Sequence, residues 1–309
     1  MTLACLQNVP ARFCNHFESA FFRNINSMKK VIALLLGLAA ILPLCNGAAS
    51  GEVGKEPKEF QKFATDLLGH FASFGWKDID FENQEWEYHR KSPGNMPLFF
   101  TTFGKDSAPS VLFLGGVHGD ESPSVYLLLK LAQLLAEKPE LCHDRKVVIA
   151  PLVNPDGFFS RPQTRTNGRG VDINRNFPTK DWKQTPKNRY YSGPKAGSEP
   201  ETQFQIALMN RFKPTHIVAI HSPLRCFDYD GPSSDLDSMV LRLKKVSKEN
   251  GLPFRRYQVF PGSLGNYAGL QRQIHTLTLE LPSAEPRKAP EYYGYFKDMF
   301  LDILELKPE

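Results

Sequence analysis

Val111-Leu112-Phe113-Leu114-Gly115-Gly116-Val117-His118-Gly119-Asp120-Glu121 decides how the rest of the chain reads. Four apolar residues in a row fit a buried strand, the two glycines make a turn, and residues 124–137 continue with apolar positions at helical spacing. His118 and Glu121 therefore share one strand-to-helix loop, three residues apart, where both side chains can aim at a single point. Far along the chain, His221 closes the apolar run Ile217-Val218-Ala219-Ile220. The C-terminal end of a strand is where open α/β sheets bind ligands. Two histidines and a carboxylate form a donor set that Zn²⁺ favours in catalytic sites, with a fourth position left for water. Zinc lowers the pKa of that water to about 7. One zinc ion per chain is the expected cofactor, although His-x-x-Glu alone is a weak pattern that surface polar residues also produce.

Outward from this stretch the same reading repeats. Strands are expected at 86–90, 98–103, 110–114, 146–153, 215–221 and 275–281, and helices at 59–74, 124–137, 201–212, 236–250 and 290–304. Such alternation argues an α/β sandwich. With 309 residues, 41% hydrophobic and 23% charged, the chain has material for one substantial core. Between the fourth and fifth strands lies a long irregular segment rich in Gly, Pro, Asn and Arg, and loops of that length in compact domains are usually functional or disordered. Arg165 and Arg175 within it carry fixed charge and five N–H donors each, suited to clamping a carboxylate or polarising a carbonyl.

Four further segments follow the first motif in order: Asn154-Pro155-Asp156-Gly157, Gly170-Val171-Asp172-Ile173-Asn174-Arg175-Asn176-Phe177-Pro178, Ile220-His221-Ser222 and Thr278-Leu279-Glu280-Leu281-Pro282. From about residue 111 to 282 the chain resembles the carboxypeptidase A-like zinc peptidases. The resemblance implies a mixed, mostly parallel sheet with helices on both faces, zinc held by His118, Glu121 and His221, and Glu280 as general base. It also implies Asn174 and Arg175 as the pair holding the substrate's terminal carboxylate, Arg165 beside the scissile carbonyl, and Tyr257 as the substrate-binding phenol, with Tyr267 competing for that role. Asp172 and Asn176 are expected to hold the loop's shape. Leu264 occupies the position where the family reads the terminal side chain, which argues against a simple preference for Lys or Arg.

The stretch Pro223-Leu224-Arg225-Cys226-Phe227-Asp228-Tyr229-Asp230-Gly231-Pro232 is similar to the bacterial murein peptide amidases of that family. Those enzymes cut between γ-D-glutamate and diaminopimelate in cell-wall peptides. Asp228 or Asp230 could pair with the extra amine of that terminal residue, or simply form an Asx-type turn before Gly231. A zinc peptidase releasing diaminopimelate from murein peptides is therefore expected. Alternatives are a general metallocarboxypeptidase, an N-acyl amino acid deacylase and a catalytically silent peptide-binding domain.

Lys29 and Lys30 precede an uncharged run over 31–44 and then Gly47-Ala48-Ala49, the pattern of a secretory signal. Secretion or a periplasmic location is expected, and Met28 is a candidate start for the translated protein. An apolar run of that length falls short of the about 20 residues a membrane span needs. Residues 1–49 carry Arg12, Arg23, Lys29, Lys30 and Glu18, so their removal leaves 34 basic against 32 acidic residues in place of the formal +5. Such near-neutrality gives no reason to expect nucleic acid as a partner. Cys142 and Cys226 would remain, too widely separated for a Cys-x-x-Cys pair and consistent with either a disulfide or two buried thiols.

Overall fold

The computed structural model describes residues 58–81, 84–232 and 238–306. The signal-segment reading and the Met28 start lie outside the described residues.

Alternation across the pleat decides the layering. In strand β3 (Ser110–Leu114), Val111 and Phe113 pack into one core, while Leu112 and Leu114 pack into a second. Strands β4 (Lys146–Ala150) and β5 (His216–His221) divide the same way, Val147 and Ile149 opposing Val148 and Ala150, and Val218 and Ile220 opposing Ile217 and Ala219. Each fully buried Val, Leu or Phe contributes about 1.5–3 kcal/mol, so neither face of the sheet can be left to water. Helices α1 (Lys58–Phe74), α2 (Pro123–Glu137), α5 (Ser238–Asn250) and α6 (Ala289–Glu305) supply the first core with Phe63, Leu131, Leu243 and Phe300 among others. On the opposite face, α4 (Pro200–Phe212) brings Phe204 and Leu208, and a π-helical segment (Gly265–Gln271) brings Ala268.

Among the described residues, eight strands make one sheet in the order β1 (Glu87–Lys91), β2 (Pro97–Phe103), β4, β3, β5, β8 (His275–Glu280), β6 (Cys226–Asp230), β7 (Phe254–Arg255). The central four are mutually parallel; β1, β2 and β6 pair antiparallel at the flanks. This is the mixed, mostly parallel sheet with helices on both faces that the sequence leads one to expect. From β3 the chain moves to β4 on one side and later to β5 on the other. The C-terminal ends of β3 and β5 therefore form the switch point where ligands bind in such sheets.

Three local features differ from expectation. Strand β4 stops at Ala150 because Val153 and Asn154 donate their N–H groups to Gly115 and Gly116, following the glycine turn out of the ladder. Residues 226–230, where no strand is expected and an Asx-type turn is one of two readings, are a strand, with Phe227 and Tyr229 inside the first core; Asp and the flanking prolines masked the alternation. Strand β7 and the π-helical segment lacked any legible period. Cys142 and Cys226 are both buried free thiols. Among the described residues no helix is long and apolar enough to cross a membrane.

Candidate metal centre and active site

The glycine-rich turn after β3 carries His118 and Glu121 to the switch point because it lies against a second loop. A Cβ on Gly119 would stand 2.1 Å from the carbonyl carbon of Gly157. Only glycine lets the two segments touch, and Gly157 itself is held by the Asn154 side chain, which caps a one-turn helix α3 (Pro155–Phe159). From β5, His221 arrives at the same point. His118 Nδ1 lies 2.8 Å from Glu121 Oε1, His221 Nδ1 lies 2.8 Å from Glu121 Oε2, and the two imidazole nitrogens are 3.1 Å apart. Ligand atoms around tetrahedral Zn²⁺ at about 2.0–2.1 Å stand about 3.3 Å from one another, so the observed spacing suits one small cation. All three residues are buried.

Charge tells the same story. Burial works against a proton on His118, yet the neighbouring Glu121 carboxylate raises its pKa overall, helped by hydrogen bonding to Asp172 and Glu121. For Glu121, burial pushes upward, but the charges of His118 and His221 outweigh it and hold the carboxyl well below the usual range. The pocket is thus built to hold positive charge. Asp172, fully buried, faces His118 Nε2 at 3.3 Å, the outer carboxylate that commonly orients a metal-binding histidine.

Two more groups face the trio. Arg165 places Nη1 3.2 Å from His118 Nδ1 and 3.6 Å from Glu121 Oε1, and its Nε donates to Asp172 Oδ2 at 2.8 Å. Glu280 ends β8, directly in register with His221 on β5 and with Cys226 on β6. Leu277 and Leu279 point into the first core, so Thr278 and Glu280 point to the other side of the strand. Leu224 N–H donates to Glu280 Oε2 at 3.3 Å. Burial, partly offset by His221 and reinforced by Glu121, raises the Glu280 pKa from its ordinary value.

Comparison with known proteins agrees with this centre. The family profile described as zinc carboxypeptidase matches residues 91–232. Murein peptide amidase A of Escherichia coli K12 is 32% identical over 219 residues, spanning 67% of this chain and 85% of that protein. The chain belongs to the zinc carboxypeptidase family. The corresponding protein of Vibrio campbellii is 31% identical over 234 residues, covering 71% of this chain and 87% of its own length. A crystal structure of the murein-tripeptide amidase of Escherichia coli O157 superposes with a TM-score of 0.57 at 28% identity, over 74% of this chain and 95% of that one. This chain is thus a zinc-dependent hydrolase similar to the murein peptide amidases.

In this zinc carboxypeptidase the loop of Asn174 and Arg175 is stitched to the segment 260–264. Asn174 Oδ1 accepts the Leu264 N–H at 2.8 Å, Trp182 Nε1 donates to the Arg175 carbonyl at 3.0 Å, and the Arg175 guanidinium lies 4.4 Å above the Phe260 ring. Among the described residues, Arg175 makes no ion pair, which leaves its outer N–H groups for an anion. Asn176 is buried and hydrogen-bonds Ser192, Lys195, Ser198 and Glu199, holding the loop as expected. Gly262 has φ +73° and an added Cβ would sit 2.1 Å from the Arg175 carbonyl oxygen. Gly262→Ala is expected to displace this loop, raising KM by about tenfold or more with a smaller change in kcat and unchanged zinc content. Steady-state kinetics with metal analysis checks it; an unaltered KM would show that the loop tolerates the shift.

The two tyrosines separate clearly. Tyr257 is 45% exposed, and its N–H donates to Asp228 Oδ1 at 2.9 Å. Tyr267 stacks on Phe177 at 5.3 Å and packs against the second core. Asp228 thus meets the Tyr257 backbone. Asp230 pairs in register with Thr276, four residues or roughly 13 Å down the strand from Glu280, and packs against Gly265 and Gly269. Its place is beneath the π-helical segment, not at the metal.

Sequence reading did not single out Asp172 as the partner of His118, nor the buried pair Glu199 and Glu201. Asn167 Nδ2 donates to both carboxylates, at 2.8 and 3.0 Å. Burial pushes the Glu201 carboxyl up to about 8, against an ordinary value near 4.5. The folded protein therefore holds this proton long after the unfolded chain has released it. Stability associated with Glu201 is fully present below pH about 4.5 and is lost as pH rises toward about 8. In thermal melts across pH 5–8, Glu201→Gln is expected to show a flatter profile than the wild type; parallel profiles would contradict this.

Proposed function

We propose that this zinc carboxypeptidase removes diaminopimelate from γ-D-glutamyl-diaminopimelate murein peptides. The observation that carries the reading is the convergence of His118, Glu121 and His221 with Glu280 and Arg165 at one strand-end pocket, flanked by Arg175, which makes no ion pair among the described residues. Likeness to proteins named murein peptide amidase along most of their length supports the choice of substrate. Export, in keeping with the leader-like residues 28–49, would place the enzyme beside the wall.

His118, Glu121 and His221 would hold Zn²⁺, which would supply Lewis acidity toward water and carbonyl oxygen. Every other task falls to side chains. Arg175 and Asn174 bind the terminal carboxylate of the substrate and so align its last peptide or amide bond with the pocket. Arg165, fixed by Asp172, donates N–H to the scissile carbonyl oxygen as negative charge grows there. Glu280 takes the proton from the attacking water and returns it to the leaving amine. Its raised pKa brings it nearer neutrality, which suits a group that must both accept and release a proton. Tyr257, exposed at the rim, hydrogen-bonds the bound substrate.

Mass spectrometry of murein peptides treated with the protein, with and without chelator, tests the reading. Loss of diaminopimelate only in the metal-replete sample is expected. Release of ordinary C-terminal residues in its place would favour a general carboxypeptidase.

A further inference from the structure

We propose that the basic cleft opening from the metal centre past Arg165 is an anion-binding subsite for the acyl half of the substrate. It rests on the hydrolase reading above for its position. The cleft has a volume of about 800 Å³ and is lined by Arg165, Arg169, Lys187 and Arg189, with Asp120 as its acid. Arg165, which lines the cleft, reaches His118 Nδ1 at 3.2 Å and Glu121 Oε1 at 3.6 Å, so the cleft borders the metal centre at this side chain. Neither Asn174 nor Arg175 lines it. The carboxylate clamp therefore lies elsewhere, and this cleft receives what stands on the other side of the scissile bond.

Its cations are gathered, not scattered. The guanidinium groups of Arg165 and Arg189 both lie over the Tyr190 ring, at 5.3 and 5.5 Å, and Lys187 lies 5.9 Å over Tyr191. Bringing like charges to a common ring costs repulsion that an anion between them relieves. Arg165 is held by the buried Asp172 at 2.8 Å, but the outer cations are only weakly neutralised: Arg189 meets Asp120 at 3.7 Å and Arg169 meets Glu199 at 3.7 Å, both at the outer limit of an ion pair, with the two arginines 60% and 56% exposed. The fitting ligand class is an acyl residue bearing a free carboxylate close to the scissile carbonyl. A γ-linked glutamyl residue meets this, since its α-carboxylate stays free when the side-chain carboxyl forms the bond.

The test compares γ-D-glutamyl-diaminopimelate with the analogue whose glutamyl α-carboxylate is a carboxamide, in the zinc-loaded wild type and in K187Q/R189Q. The wild type is expected to prefer the carboxylate by at least about tenfold in kcat/KM, the scale of one charge-assisted hydrogen bond, and the variant to lose that ratio. A ratio near one in the wild type, or one kept in the variant, overturns the subsite. Calorimetric binding of N-acetyl-D-glutamate against N-acetyl-D-isoglutamine decides independently of turnover. Should neither dipeptide be cleaved, the proposed reaction falls, while tighter binding of the glutamate that K187Q/R189Q abolishes would still uphold the subsite, and equal or absent binding would sink it.

Discussion

Glu280→Gln is expected to lower kcat by about 10²- to 10⁴-fold while zinc content stays at the wild-type level, because general acid–base catalysis contributes on that scale. The substitution is nearly isosteric. A glutamine oxygen can still accept the Leu224 N–H that Glu280 Oε2 accepts at 3.3 Å, and the register of β8 with His221 is untouched. What disappears is the ability to carry a proton between water and leaving amine. Turnover measured alongside metal content separates this from a disturbed site. A variant with near-normal kcat would remove Glu280 from the mechanism, and one that lost zinc would make it a metal-supporting group.

Glu121→Ala is expected to abolish metal retention and activity together. Its carboxylate bridges both imidazoles at 2.8 Å and accepts the Ser222 N–H at 3.2 Å. Without it the two Nδ1 atoms, 3.1 Å apart, face each other with no shared anion. Breaking a buried charged set by removing one partner costs about 3–5 kcal/mol, so the melting temperature should fall as well. Asp172→Asn gives a graded contrast: the outer partner of His118 should weaken zinc binding by about 10- to 100-fold without abolishing it. Competition with a calibrated chelator measures both. Full zinc occupancy in Glu121→Ala would disprove the ligand set.

Much of the metal centre is legible in the amino-acid sequence. His221 at the end of a four-residue apolar run, and the alternation of Leu277 and Leu279 with Thr278 and Glu280, place these side chains by strand geometry alone. Period-two and helical patterns are local, so they survive in a single sequence. Residues 226–230 show where that fails. Two aspartates beside Gly231 and Pro232 suggest an Asx-type turn as readily as a substrate contact and hide the alternation, although Phe227 and Tyr229 bury one face of a strand. Burial wins over composition there.

The chain alone determined most strands and helices, because short-range spacing dictates which way each side chain leaves the backbone, and it pointed to the three ligands through several motifs in order that resemble the zinc peptidases. Tertiary structure decided everything that depends on distant partners: Asp172 behind His118, Asp228 on the Tyr257 backbone, Tyr267 committed to Phe177, and four cations collected around one cleft. These contacts join segments tens of residues apart, and no local period records which loops the sheet will bring together at its switch point.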